Sequence, residues 1–194
     1  MLLKITNENL DKVYKEVLAD EAYGKEDKLI TDAFSKYPKN NDIAIIALKI
    51  GLIDITNSTN ISRYKSKISV VELAEHIAGI KDIDKRIADG DPTVVEEIAG
   101  ANGNINLFSF ASKYCCYHNR NVYGRDDYSI FDTVLMETLP MYFDDIKKSK
   151  IESWRADRKY KLYNDFITKK LDELNITTSY RRRKFDYFVW YPNK

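Results

Sequence analysis

Residues 93–135 read TVVEEIAGANGNINLFSFASKYCCYHNRNVYGRDDYSIFDTVL. Their order is helix, glycine-containing hairpin, helix, loop, aspartate, helix. The first helix, 92–99, opens on Pro92, which suits a first helical turn, and stops at Gly100. The second, 107–119, puts Leu107, Phe110, Ala111 and Tyr114 on one stripe. A loop from about Arg120 to Ser129 leads to Ile130, Phe131 and then Asp132, which opens a helix over 132–139. Between the first two helices, Gly100 and Gly103 sit in a small, polar turn where backbone N–H groups can face a phosphate. Asp132 stands where a helix dipole and free amides favour a negative charge, so it reads either as a plain helix cap or as a working carboxylate.

Outward from this unit the chain reads as all-α. Only 7 Gly and 4 Pro occur in 194 residues, which favours helices with short connections. Helical periods run over 7–19, with Asn7 as cap, over 25–37, over 68–79 and, briefly, over 82–89. The stretch 42–55 (DIAIIALKIGLIDI) is nearly apolar throughout and predicts a central buried helix. A polar interruption, TNSTNISR, follows it at 56–63. Residues 156–173 predict one long amphipathic helix, and 178–194 form a basic, aromatic segment. One domain spanning 1–194 is expected.

Hydrophobic residues make up 44% and aromatics 12%, enough for a packed core and too much for disorder. The two cysteines, Cys115 and Cys116, are adjacent, which excludes a disulfide framework, CxxC zinc spacing and iron–sulfur ligation. With two His besides, no metal site and no cofactor are expected. No segment is apolar enough to span a membrane, and the start turns polar too soon for a signal peptide, so a cytoplasmic protein is expected. The net charge of +1 hides an asymmetry. From Lys147 onward there are 14 basic and 6 acidic residues, against 17 and 24 in the first 146. The C-terminal quarter is therefore either a polyanion-binding surface or a solvated helical face.

The 93–135 unit resembles the helix-hairpin-helix DNA glycosylase superfamily, in which a hairpin grips the DNA backbone and an aspartate about twenty residues on begins the next helix. Asn57-Ser58-Thr59-Asn60-Ile61-Ser62-Arg63 is similar, in position and character, to the segment of the 8-oxoguanine branch that fills the space left by a flipped base. The stretches FSFASKY, HN and YSIFD, and the ending KFDYFVWY, also look like a bacterial group of small proteins related to this fold. The resemblance implies a two-lobed all-α fold with a pocket between the lobes. It implies that Asp132 is catalytic and that Gly100, Gly103, Asn104 and Asn106 of the hairpin bind DNA together with Asn57, Ser58, Thr59, Asn60 and Arg63. The hairpin lacks the usual Leu-Pro-Gly-x-Gly form. The lysine of bifunctional members falls at Ser109, whereas Lys113 lies one turn later, so Lys113 is the second catalytic candidate and lyase activity is left open. Ser109, Tyr117, His118 and Asn119 are expected around the flipped base, with Tyr114, Tyr123 and Tyr128 nearby.

Each residue has a plainer reading. His118 and Asn119 read equally as a C-terminal helix cap, Asn57–Asn60 as a capped turn, and His76 as structural. Arg181, Arg182 and Arg183 either contact phosphates or stay solvated while Phe185, Tyr187, Phe188 and Trp190 anchor the C-terminus. The expected activity is hydrolytic release of a damaged or modified base from double-stranded DNA by a monomer. Oxidised guanine and, in an anti-phage role, glucosylated hydroxymethylcytosine are the candidate bases. A non-catalytic DNA-binding module and a helical protein–protein adaptor are the alternatives.

Overall fold

A computed structural model describes residues 2–103 and 105–193, the last of these by its backbone alone. All regular structure among them is helical. In chain order the α-helices are α1 (Asn7–Ala19), α2 (Tyr23–Lys36), α3 (Ile43–Asn57), α4 (Val70–Gly79), α5 (Ile83–Asp89), α6 (Thr93–Ala99), α7 (Phe108–Tyr123), α8 (Thr133–Tyr142), α9 (Lys148–Ala156), α10 (Tyr160–Glu173) and α11 (Arg181–Trp190). Local chemistry sets many of the boundaries. Asp42 accepts from the amides of Ala44 and Ile45 at the start of α3, and Ser69 with Glu72 forms a reciprocal capping box on α4. Gly124, at φ +65°, ends α7.

The central helix is α7, not α3. Phe108 and every residue from Phe110 to Arg120 are buried. It packs against α2, α3, α5 and α6. Phe108 meets Phe131 edge-on at 4.9 Å, and Phe131 meets Tyr163 of α10 at 5.2 Å. Full burial of such rings contributes roughly 1.5–3 kcal/mol each. The same burial obliges Ser112, Lys113, His118, Asn119 and Arg120 to find polar partners inside the protein. By contrast α3 buries Ile46, Ile50 and Ile53 but leaves Leu48 68% and Ile55 83% exposed, so its apolar sequence does not make it a core helix.

Three further boundaries differ from the sequence expectation. Residues 156–173 form no single helix: Arg158 takes φ +55° and separates α9 from α10. Helix α7 runs on to Tyr123, so Asn119 is mid-helix and caps nothing. Thr6, not Asn7, caps α1. The Asn7 carboxamide oxygen instead accepts from the amides of Thr177 and Thr178, tying the first helix to the last, and α1 packs along α11.

The candidate cleft

The segment 129–131 is pinned from two sides. Ser112 Oγ of α7 accepts the Phe131 amide at 3.0 Å. From α10, Asn164 Oδ1 accepts the Ser129 amide at 2.8 Å, and the Tyr160 and Tyr163 hydroxyls donate to the carbonyls of Ser129 and Ile130 at 2.7 and 2.6 Å. Residue 112 is thereby paired with 131, and their neighbours Lys113 and Asp132 line one cleft of about 240 Å³. Asp132 is also a cap: its Oδ1 accepts the Leu135 amide at 2.9 Å. The cap reading of Asp132 therefore holds, and the same residue lines the cleft.

Three helices present polar stripes to this cleft. Helix α2 contributes Tyr23, Glu26, Asp27 and Ile30, α7 contributes Lys113 and Tyr117, and α11 contributes Arg183, Asp186, Tyr187 and Trp190. These are i, i+3, i+4, i+7 spacings, so each set lies on one helical face. Thr56, Asn57 and Ser58, at the end of α3, complete the wall.

Lys113 is buried, and its Nζ donates to Ser109 Oγ at 2.9 Å. Burial lowers the pKa of this amine, against the pull of the Asp132 and Asp186 charges. Burial pushes Asp186 up to about 6, with Arg183 and Lys113 opposing and Asp132 adding to the rise. Asp27 collects three donors on Oδ1: Arg120 at 2.9 Å, the Tyr187 hydroxyl at 2.8 Å and Arg183 at 3.3 Å. Burial would raise its pKa, but the two guanidiniums bring it below the ordinary carboxylate value. Arg183 also pairs with Asp186 at 2.6 Å, and its Cζ lies 3.8 Å from the centre of the Tyr187 ring. The Tyr117 hydroxyl donates to Asn57 Oδ1 at 2.7 Å, joining this network to the end of α3.

Of the expected base-contacting residues, only Tyr117 lines the cleft. Ser109 reaches it through Lys113. His118 and Asn119 point elsewhere, because one residue turns a helix by about 100°. His118 lies against Phe34 and Tyr114, with Nε2 3.4 Å from Asn40 Nδ2, and burial drops its pKa to about 3. Asn119 donates to the Ile87 carbonyl and to Asp127 at 2.8 and 3.0 Å. Tyr114 and Tyr128 are likewise bonded away from the cleft, to Asn40 Oδ1 and the Asp91 carbonyl, and Tyr123 does not line it. His76 sits outside it too, with Nε2 3.0 Å from the Glu97 carbonyl.

The hairpin between α6 and α7 is present, closed by the Leu107 amide on the Ala99 carbonyl at 3.0 Å. Its glycine amides are used internally: Gly103 donates to Gly100, and Gly100 to Glu96 and Glu97. Neither amide faces outward as a phosphate grip would need. Gly100 instead admits Arg158, since a Cβ there would stand 2.7 Å from Arg158 Nη1. Asn106 donates to the Arg155 carbonyl at 2.6 Å, and Asn104 lies outside the described residues.

The arginine run is also internal. Arg181 pairs with Asp172 at 2.6 Å, Arg182 donates to the Asp126 carbonyl and to Thr168, each at 2.6 Å, and Arg183 forms part of the cleft. These three guanidiniums are engaged within the protein, by Asp172, by the Asp126 carbonyl and Thr168, and by Asp27 and Asp186. In the 57–63 turn, Ser58 and Asn60 take left-handed conformations at φ +48° and +58°. Asp54 Oδ1 holds the turn, accepting from Thr59 Oγ1 at 2.6 Å and the Ile61 amide at 2.8 Å. Asn60 and Arg63 are exposed at its rim.

Residues 7–122 match the family described as HI_0787_N, N-terminal domain. The chain belongs to this HI_0787_N family. The match runs from α1 into α7 and takes in Asp27, Asn57, Lys113 and Tyr117, while Asp132, Arg183 and Asp186 lie beyond it. A Haemophilus influenzae relative, named as an uncharacterized protein, is 34% identical over 121 residues. The overlap takes in 58% of this chain and 57% of that relative, so the chain spans little more than half the length of the relative it matches. No solved structure matches the chain. Among the described residues no helix is long and apolar enough to cross a membrane.

Proposed function

We propose that this chain is a DNA N-glycosylase that flips a damaged or modified base into the cleft and releases it. The observation that carries the reading is Lys113: a buried amine with a lowered pKa, sharing one cleft with Asp132. A lysine that has lost its proton is a nucleophile. In this reading the Lys113 amine attacks C1′ of the deoxyribose while the Asp132 carboxylate stabilises the cationic sugar. The buried amine favours this over direct attack by water. The cleft, at about 240 Å³, suits one flipped base walled by aromatic rings better than an extended ligand.

The DNA-facing side is assigned to the turn after α3. Asn60 stands exposed at its tip, and Arg63, Lys65 and Lys67 follow it, all exposed and none in an ion pair among the described residues. They replace the arginine run and the hairpin amides as the expected phosphate contacts. A non-catalytic binding module would have no use for a buried lysine beside two carboxylates.

The test is base release. The protein is incubated with unmodified bacterial DNA, oxidised DNA and glucosyl-hydroxymethylcytosine phage DNA. Free bases are then quantified by mass spectrometry, and lysine–sugar adducts are trapped with borohydride. A released base that depends on both Lys113 and Asp132 is expected. Salt-sensitive DNA binding without base release from any of the three would sink the proposal in favour of a binding module.

A further inference from the structure

Three aspartates line the cleft, and they differ in what their oxygens do. Asp132 accepts the Leu135 amide on Oδ1, and Asp27 accepts two arginines and a tyrosine on its Oδ1. Asp186 is 5% exposed, and its Oδ2 accepts from Arg183 at 2.6 Å. Its Oδ1 is buried and has no hydrogen-bond partner among the described residues. A buried carboxylate oxygen with no donor, on a side chain that lines the cleft together with Lys113, is a site for a proton.

We infer that Asp186 carries the proton of the reaction, taking it from Lys113 and delivering it to the base as the N-glycosidic bond breaks. This rests on the glycosylase reading above. The charges that reach Asp186 come from every side. Arg183 shares its helix, Lys113, Cys116 and Tyr117 face it from α7, Asp132 from the start of α8, and Tyr163 from α10. Asp27 of α2 and Tyr14 of α1 act on the adjoining Arg183–Tyr187 group. Its raised pKa, about 6, fits a group that gains and loses a proton near neutral pH.

The step balances. The Lys113 ammonium gives one proton to the Asp186 carboxylate and becomes a neutral amine. Its nitrogen lone pair forms a bond to C1′, and the electrons of the broken C1′–N bond leave with the base. The Asp186 carboxylic acid returns its proton to that base nitrogen. The lysine ends as a secondary ammonium on the sugar, the base leaves neutral, and Asp186 is a carboxylate again. The two carboxylates thus take separate roles, one electrostatic and one protonic, as their surroundings dictate.

Asp186→Asn keeps the hydrogen bond to Arg183 and removes the titration. Single-turnover base release and borohydride trapping are measured from about pH 5 to pH 9 on an 8-oxoguanine duplex and on glucosyl-hydroxymethylcytosine phage DNA. The expected result is a rate about 100-fold lower in Asp186→Asn, DNA affinity within about twofold, and loss of the acid limb near pH 6 that the wild type shows. A variant with the wild-type rate and pH profile overturns the inference and leaves the glycosylase reading standing. So does one that only weakens DNA binding, since that is the mark of base recognition. A wild type that releases no base and traps no adduct removes both. If Asp186→Asn loses its helical circular dichroism, Asp186→Glu replaces it. A moved acid limb then supports proton transfer, and an unmoved one overturns it.

Discussion

Ser112 Oγ accepts the Phe131 amide at 3.0 Å, and this bond brings their neighbours Lys113 and Asp132 to one cleft. Ser112→Ala leaves that buried amide unpaired, at a cost of about 1–3 kcal/mol. Denaturant titration should show that loss. In the proposed reaction, base release should fall about tenfold with DNA affinity unchanged, because only the alignment of the two groups is disturbed.

Asp132 has a structural and a proposed chemical task, and two substitutions separate them. Asp132→Asn can still accept the Leu135 amide, so its melting temperature should match the wild type while base release is lost. Asp132→Ala should lose base release and also about 1 kcal/mol of stability from the missing cap.

Among the C-terminal arginines, burial sets the cost of removal. Arg183→Ala strands the buried Asp186 without its cation, while Asp27 keeps Arg120, and should destabilise by about 3–5 kcal/mol. Arg181→Ala, whose partner Asp172 is exposed, should cost no more than about 1 kcal/mol. Equal costs by urea titration would contradict this placement.

Arg63, Lys65 and Lys67 are the expected phosphate contacts. Replacing any one by Ala should lower the slope of log affinity against log salt by about 1. Arg181→Ala should leave that slope unchanged. Affinity measured by fluorescence anisotropy at several salt concentrations distinguishes the two.

His118 makes stability depend on acid. Its folded-state pKa, about 3, lies below its ordinary 6.5, so the unfolded chain takes the proton first as pH falls. Stability should be unaffected above about pH 6.5 and should drop below it, by about 1.4 kcal/mol per pH unit from this group. His118→Gln should remove that part of the slope between about pH 4 and pH 6 in chemical denaturation.

Much of the helical order was readable from the sequence because its causes are local. Apolar residues three and four apart, Pro92 at a helix start and an aspartate opening α8 act within a turn or two of chain. The same locality let the sequence nominate Lys113 and Asp132. It also held a signal for the aspartates it passed over. Asp27 falls on the buried stripe of α2 with Ile30 and Phe34, and Asp186 sits inside the aromatic run 185–188. An acid on an apolar face needs a partner, and nothing local says which.

The partners come from far along the chain. Asp27 and Arg183 are 156 residues apart, and Tyr117 and Asn57 are 60. Periodicity states which face of a helix is buried. It does not state which other helix the face meets, so His118 and Asn119 read as neighbours of Tyr117 in the site while a turn of about 100° sends them elsewhere. For the same reason the arginine run looked like a surface and α3 looked like the core. By itself the sequence determined an all-helical chain and nominated Lys113, Asp132 and Tyr117 among the residues that line the cleft. Tertiary packing decided that α7 lies at the centre, that the arginines turn inward, and that Asp186 joins Lys113 and Asp132, because burial and charge pairing depend on helices that only the folded chain brings together.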